Sequence, residues 1–215
     1  MSSKRSVDGG GVTMGGGAPV VVQSMTNTPT TDVDATLRQI RELARLGAEV
    51  VRVAVPDMDS ARALPALLEA SPVPLVADVH FDAGLAMAAL DAGIHKLRLN
   101  PGNIRREEDV EGIARRAAEL AVPIRVGVNS GSVPGDLRER YGGVSADSMW
   151  AAAERHVTML EKTGFRDIVL SLKASGPGLT VEANERASRE RDYPIHLGVT
   201  EAGTPLSGSV RTAVA

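Results

Sequence analysis

Val50-Val51-Arg52-Val53-Ala54-Val55 sets one arginine inside an otherwise aliphatic run. A short run this rich in valine predicts a strand covered on both faces, as in a parallel sheet flanked by helices. Side chains alternate along a strand, so Arg52 faces either the helices or the interior of a closed sheet, and both are largely dry. The pattern recurs in Leu97-Arg98-Leu99 and Ile124-Arg125-Val126, and a fourth run, Ser171-Leu172-Lys173, ends on a lysine.

Working outward from these runs, seven strands are predicted at residues 20–25, 50–55, 75–78, 96–99, 124–128, 167–171 and 195–199. Between them, apolar residues at helical spacing predict helices at 34–46, 60–69, 83–91, 107–120, 146–162 and 179–191, with Gly47, Gly93 and Gly164 where helices should end. Residues 129–141 read as an extra loop. Strict alternation of strand and helix implies parallel strands with right-handed crossovers, in either an open doubly wound sheet or a closed barrel. Open sheets gather binding residues at one switch point, whereas here polar residues follow nearly every strand. The fold class is therefore α/β, a TIM-type (β/α) barrel. Residues 1–18 read as a flexible Gly-rich leader and 19–215 as an incomplete barrel, truncated after about seven strands. Its first and last strands would be open edges, so the isolated chain is expected to be poorly soluble or loosely folded.

Composition narrows the function. One Trp, two Tyr and two Phe leave little surface for stacking bases, and a net charge of -3 gives no broad positive field for nucleic acid. The aliphatic content suits a barrel filled by layers of Val, Ile, Leu and Ala. No apolar run approaches a membrane span, and the N-terminus lacks a signal core, so a cytoplasmic location is expected. With no cysteine, these residues offer no disulfide, thiol nucleophile or thiolate-held cluster.

Arg52, Arg98, Arg125 and Lys173 either pair with carboxylates, chiefly Asp78 and Glu201, or hold a bound polyanion. Four bases against two acids favour a polyanion, and the planar guanidinium fork suits phosphate oxygens. Gln23, Ser24, Thr26 and Asn27 after the first strand, Asn100 and Asn103 after the fourth, and Asn129 and Ser130 after the fifth supply amides and hydroxyls for a hydroxyl-rich ligand. Asp78, His80, His196 and Glu201 are the proton-transfer candidates, His196 reading rather as structural. No metal site is expected, because Val21-Val22-Gln23-Ser24 stands where barrel hydrolases place paired histidines. His95 and His156 are assigned no function.

Five motifs go beyond generic barrel chemistry: 22–28 (VQSMTNT), 77–81 (ADVHF), 99–104 (LNPGNI), 126–132 (VGVNSGS) and 196–203 (HLGVTEAG). In this order they resemble the 4-hydroxy-3-methylbut-2-enyl diphosphate synthases of the non-mevalonate isoprenoid pathway. That resemblance implies a barrel binding 2-C-methyl-D-erythritol 2,4-cyclodiphosphate and a separate domain holding a [4Fe-4S] cluster on three cysteines and a glutamate. It further implies reductive ring opening and dehydroxylation with electrons from flavodoxin or ferredoxin, in a homodimer. It gives Arg52, Arg98, Arg125, Lys173 and the asparagines the diphosphate, and makes Glu201 a candidate proton donor. Gly176-Pro177-Gly178 departs from the family, which runs directly into a helix after the lysine. The cluster ligands are not among these residues, so the chain alone is expected to be inactive. Two other functions fit the sequence: a Schiff-base aldolase using Lys173 on a phosphorylated substrate, and a binding-only fragment.

Overall fold

A computed structural model describes residues 3–79, 82–99 and 106–214. Six parallel strands form the main sheet: β3 (Gln23–Met25), β4 (Val50–Val55), β5 (Leu75–Val79), β6 (Lys96–Leu99), β7 (Ile124–Asn129) and β8 (Ile168–Lys173). They are hydrogen-bonded in strict chain order, with no point at which the order reverses. An open doubly wound sheet needs such a reversal, so the unbroken order belongs to a barrel wall. The wall curls into an open half-barrel.

Helices α1 (Val33–Arg45), α2 (Met58–Ala70), α3 (Ala83–Asp91), α4 (Glu107–Glu119), α6 (Ala146–Lys162) and α7 (Pro177–Glu190) supply the crossovers. Aspartates set three starts: Asp32, Asp57 and Asp82 accept the backbone amides of Ala35, Ser60 and Gly84 at 3.0, 2.8 and 2.6 Å. The outer strand face, including Val51, Val53, Leu75, Leu97, Ile124 and Leu170, packs with Ile40, Leu64, Ile113 and Met149 of the helices in one apolar cluster. Burying that face is the main favourable term for the fold.

Four expectations are corrected. Residues 1–18 are not a flexible leader: β1 (Ser6–Asp8) and β2 (Thr13–Gly15) pair as an antiparallel hairpin with Val7 buried. The expected seventh strand is reduced to one parallel bridge, Leu170 to Ile195, so the sheet has six strands among the described residues. Gly198, at φ 149, breaks the extended run there. Residues 129–141 hold a 3₁₀ turn (Ser130–Ser132) and α5 (Gly135–Arg140). Finally, the aliphatic core lies mainly outside the wall instead of filling the barrel: on the inner face Arg52, Asp78, Lys96, Arg98, Arg125 and Lys173 stand beside a few apolar residues such as Val50, Val76 and Val169.

Past the bridge the chain continues into α8 (Pro205–Val214). No helix among the described residues is long and apolar enough to cross a membrane.

Candidate anion-binding site

Alternation decides what lines the inner face. Val51, Val53 and Val55 of β4 join the outer cluster, which turns Arg52 inward; the same phase turns in Asp78 on β5, Arg98 on β6, Arg125 on β7 and Lys173 on β8. Asp78 is in register with Arg98, Arg98 with Arg125, and Asn129 with Lys173. The three side chains in the Asp78–Arg98–Arg125 row therefore stand on neighbouring strands, about 4.8 Å apart at the backbone.

Asp78 is the interior carboxylate among the described residues, and it is shared. It accepts from Arg98 Nη1 at 2.8 Å and lies 3.4 Å from Arg52 Nε. The Met25 Sδ accepts from Arg52 Nε and Nη2 at 3.1 and 2.9 Å, holding the guanidinium at the mouth. Arg125 is 2% exposed, yet its Nε and Nη1 find no hydrogen-bond partner among the described residues. Burial, then Arg52 and Arg98, act to expel its proton. A guanidinium keeps its charge even so, which makes Arg125 a strong point of attraction for an anion. Lys173 has no carboxylate partner among the described residues; burial, then Arg125, Arg52 and Arg98, lower its pKa to about 7.

Gly127 leaves room for this crowding. A Cβ there would stand 3.3 Å from Arg98 Nε and 3.8 Å from Arg125 Nε and Nη2. On the facing side, a Cβ at Gly198 would meet Lys173 Nζ at 3.3 Å. The departure at Gly176-Pro177-Gly178 does not displace Lys173, because Gly176 is the N-cap of α7 and Pro177 its first residue. Behind the strand, Asn184 of α7 donates to Leu172 O at 2.7 Å, and Thr180 Oγ1 accepts from Ala174 N at 3.1 Å.

The polar candidates divide. Gln23 shares the inner face, and its Oε1 is buried without a partner. Asn129 and Ser130 lie half-buried at the C-terminal end of β7. Thr26 and Asn27 follow β3 at the turn toward α1. Thr26 binds back to Arg52 O through its amide at 3.0 Å, and Asn27 Oδ1 accepts from Gln39 Nε2 of α1 at 2.8 Å. Glu201 is on the rim, next to Thr200, whose amide donates to Ala174 O at 3.1 Å. Its side chain is exposed and its backbone has φ 51, so it does not balance the interior cations as expected. His196 is held well below its usual pKa by burial and then by Arg125 and Lys173, hence neutral. His80, Asn100 and Asn103 lie outside the described residues.

Sequence reasoning missed Lys96, which is 2% exposed. It stands two residues before Arg98 on the same strand, and the period-two rule alone would have turned it inward. On the open side of the half-barrel, a cavity of ≈ 650 Å³ is lined by Lys96, Gln23, His196 and Met14 together with residues 18–21 and 191–197.

A family model described as the GcpE TIM-barrel domain matches residues 4–215. The chain is 48% identical over 213 residues to the 4-hydroxy-3-methylbut-2-en-1-yl diphosphate synthase (flavodoxin) of Geobacillus thermodenitrificans, covering 99% of this chain and 57% of that protein. It is 50% identical over 210 residues to the enzyme of the same name from Magnetococcus marinus, covering 98% and 57%. The chain thus spans little over half the length of these relatives. Among solved structures, the dihydropteroate synthases of Yersinia pestis and Burkholderia cenocepacia superpose with TM-scores of 0.67, at 14% and 16% identity. Each match covers 97% of this chain and 85% of the other. At that identity the likeness is one of barrel fold.

Proposed function

The chain belongs to the GcpE TIM-barrel domain family, and on that footing we propose that it is the substrate-binding barrel of a 4-hydroxy-3-methylbut-2-enyl diphosphate synthase. Its ligand is 2-C-methyl-D-erythritol 2,4-cyclodiphosphate, and the whole enzyme opens that ring and removes a hydroxyl by reduction in isoprenoid biosynthesis. The observation that carries this is Arg125: a buried guanidinium with two unpartnered nitrogens, among further cations and beside a carboxylate that two other arginines already share. A diphosphate supplies the missing negative charge and acceptors.

In this role Arg52, Arg98, Arg125 and Lys173 hold the phosphoryl oxygens. Gln23, Asn129 and Ser130 orient the rest of the ligand. Asn100 and Asn103 join them on the strength of the family motifs, and His80 stays a proton-transfer candidate. Asp78 fixes the Arg52 and Arg98 forks, and Glu201 is poised on the rim as proton donor.

The residues present do not fit an iron–sulfur cluster. The chain has no cysteine, and no group of three metal-binding side chains occurs among the described residues. The family's [4Fe-4S] cluster, its flavodoxin or ferredoxin donor and its homodimer therefore belong, in this proposal, to a longer cytoplasmic protein. These 215 residues contribute binding and orientation, and alone bind without turnover.

Isothermal titration with the cyclic diphosphate tests the role. Arg52→Ala combined with Arg125→Ala should weaken binding by at least about 100-fold, since each charge-assisted hydrogen bond contributes roughly 1.5–3 kcal/mol. Unchanged affinity would remove these arginines from the site. The low pKa of Lys173, about 7, also favours a nucleophilic amine. A Schiff-base role predicts a borohydride-trapped adduct on Lys173 with dihydroxyacetone phosphate, and an unmodified Lys173 by mass spectrometry discards it.

A further inference from the structure

Lys96 opens β6 on the inner face, and among the described residues its Nζ has one hydrogen-bond partner, Met14 Sδ of the N-terminal hairpin at 3.1 Å. A thioether is a weak, uncharged acceptor, so it does little to offset the water lost on burial. The titratable or charged groups facing Lys96 from the surrounding wall are Arg52, Asp78, Arg98, Arg125, Lys173 and His196. Asp78 is already shared by two arginines. From the open side, the cavity adds Lys4, Arg191, Asp192 and Tyr193. These have other partners: Asp192 Oδ1 accepts the Lys4 backbone amide at 2.8 Å, Arg191 pairs with Glu154 and Glu161, and the Tyr193 hydroxyl donates to Glu161 at 2.8 Å. Asp192 is exposed at the cavity's edge, and among the described residues no carboxylate forms an ion pair with Lys96.

A buried amine so placed sheds its proton more readily than it holds an uncompensated charge. Burial first, then Arg125 and Arg52, bring Lys96 down to about 7. A polyanion against Arg98 and Arg125 reverses that balance by supplying the opposite charge.

We propose that Lys96 is a positioning residue of the anion site that takes up a proton when a diphosphate binds against Arg98 and Arg125, so that the barrel gains positive charge only when the ligand is present. The inference rests on the diphosphate-binding role proposed above. As a neutral amine Lys96 spares the empty barrel one more repelling charge. As an ammonium it adds a counter-charge beneath the two arginines. The proton comes from the buffer, and no bond to the ligand forms or breaks.

Titration calorimetry of the 215-residue chain with the cyclic diphosphate at pH 8, in buffers of different ionisation enthalpy, counts the protons taken up. The ligand's phosphoryl groups have no ionisation near neutrality, so uptake belongs to the protein. Wild type should take up nearly two protons, about one each at Lys96 and Lys173. Lys96→Arg, with a fixed charge, and Lys96→Met, with none, should each lose about one of them. Lys96→Arg should also hold its affinity better than wild type as pH rises from 7 to 9, while Lys96→Met binds more weakly throughout, a split that a merely structural role does not produce. Uptake equal to wild type in Lys96→Arg overturns the inference and leaves the diphosphate role standing. Absence of any binding by folded wild type overturns both. Should neither Lys96 variant fold, Lys173→Met decides, since it retains about one proton of uptake if Lys96 loads and none otherwise.

Discussion

Asp78 holds Arg98 at 2.8 Å and Arg52 at 3.4 Å, so one carboxylate orients two of the cations on the inner face. Asp78→Asn keeps the shape and removes the charge that faces the buried Arg98 and the half-buried Arg52. Breaking a buried pair in this way costs about 3–5 kcal/mol, and a urea melt of the variant should show a loss of that order. Arg125 predicts the opposite for stability. It has no carboxylate partner among the described residues, so Arg125→Met should raise the stability of the empty protein by about 1–4 kcal/mol while weakening diphosphate binding at least tenfold. A variant that both loses stability and keeps affinity would show that Arg125 is compensated within the fold. The four cations first picked out share one interior face, and that was legible because alternation along a strand is a covalent property of the chain. The bonds that Thr26 and Asn27 make, to Arg52 O and to Gln39, were not legible because those partners come from elements distant in sequence.

At the scale of elements, Lys173 is placed by what stands behind its strand. Asn184 of α7 accepts from Leu172 N at 3.4 Å and donates to Leu172 O and Thr180 O, each at 2.7 Å. Asn184→Ala leaves the Leu172 N–H and C=O without this partner in a buried seam, and should destabilise by about 1–3 kcal/mol in thermal or denaturant melts. Neither Asn184 nor Thr180 was marked by the sequence, since a polar residue on a helix reads as exposed until the strand it binds is known. Gly127 is a comparable case on β7. Gly127→Ala should fold, because its φ is ordinary, but the added methyl pushes against Arg98 Nε, and affinity should drop several-fold. Boundaries of the central helices were read nearly to the residue, as caps and periodicity are local. The hairpin at residues 6–15 was missed because its glycines signal a turn as well as they signal flexibility, and burial of Val7 is what distinguishes the two.

For the molecule as a whole, Lys96 and Lys173 both lie near 7 when folded, against 10.5 when exposed. Between those values the unfolded chain binds more protons than the folded one, so stability of the empty protein should rise with pH from about 7 to 9. The slope is up to roughly 1.4 kcal/mol per pH unit per lysine, readable in urea melts in buffers free of phosphate. Saturating diphosphate should flatten that slope, since a bound anion returns both lysines toward their ordinary values. A flat profile without ligand would mean that both lysines remain charged in the fold. The sequence by itself determined the alternation of strand and helix, the parallel wall and the inward row of bases, because periodicity and capping act within a few residues. It did not determine that the described wall has six strands, that residues 6–15 fold against its floor, or that one carboxylate serves two arginines while Arg125 and Lys96 pair with none among the described residues. Those outcomes depend on which side chains meet across strands tens of residues apart, and only the packed tertiary structure brings them within the few ångströms at which charge and burial act.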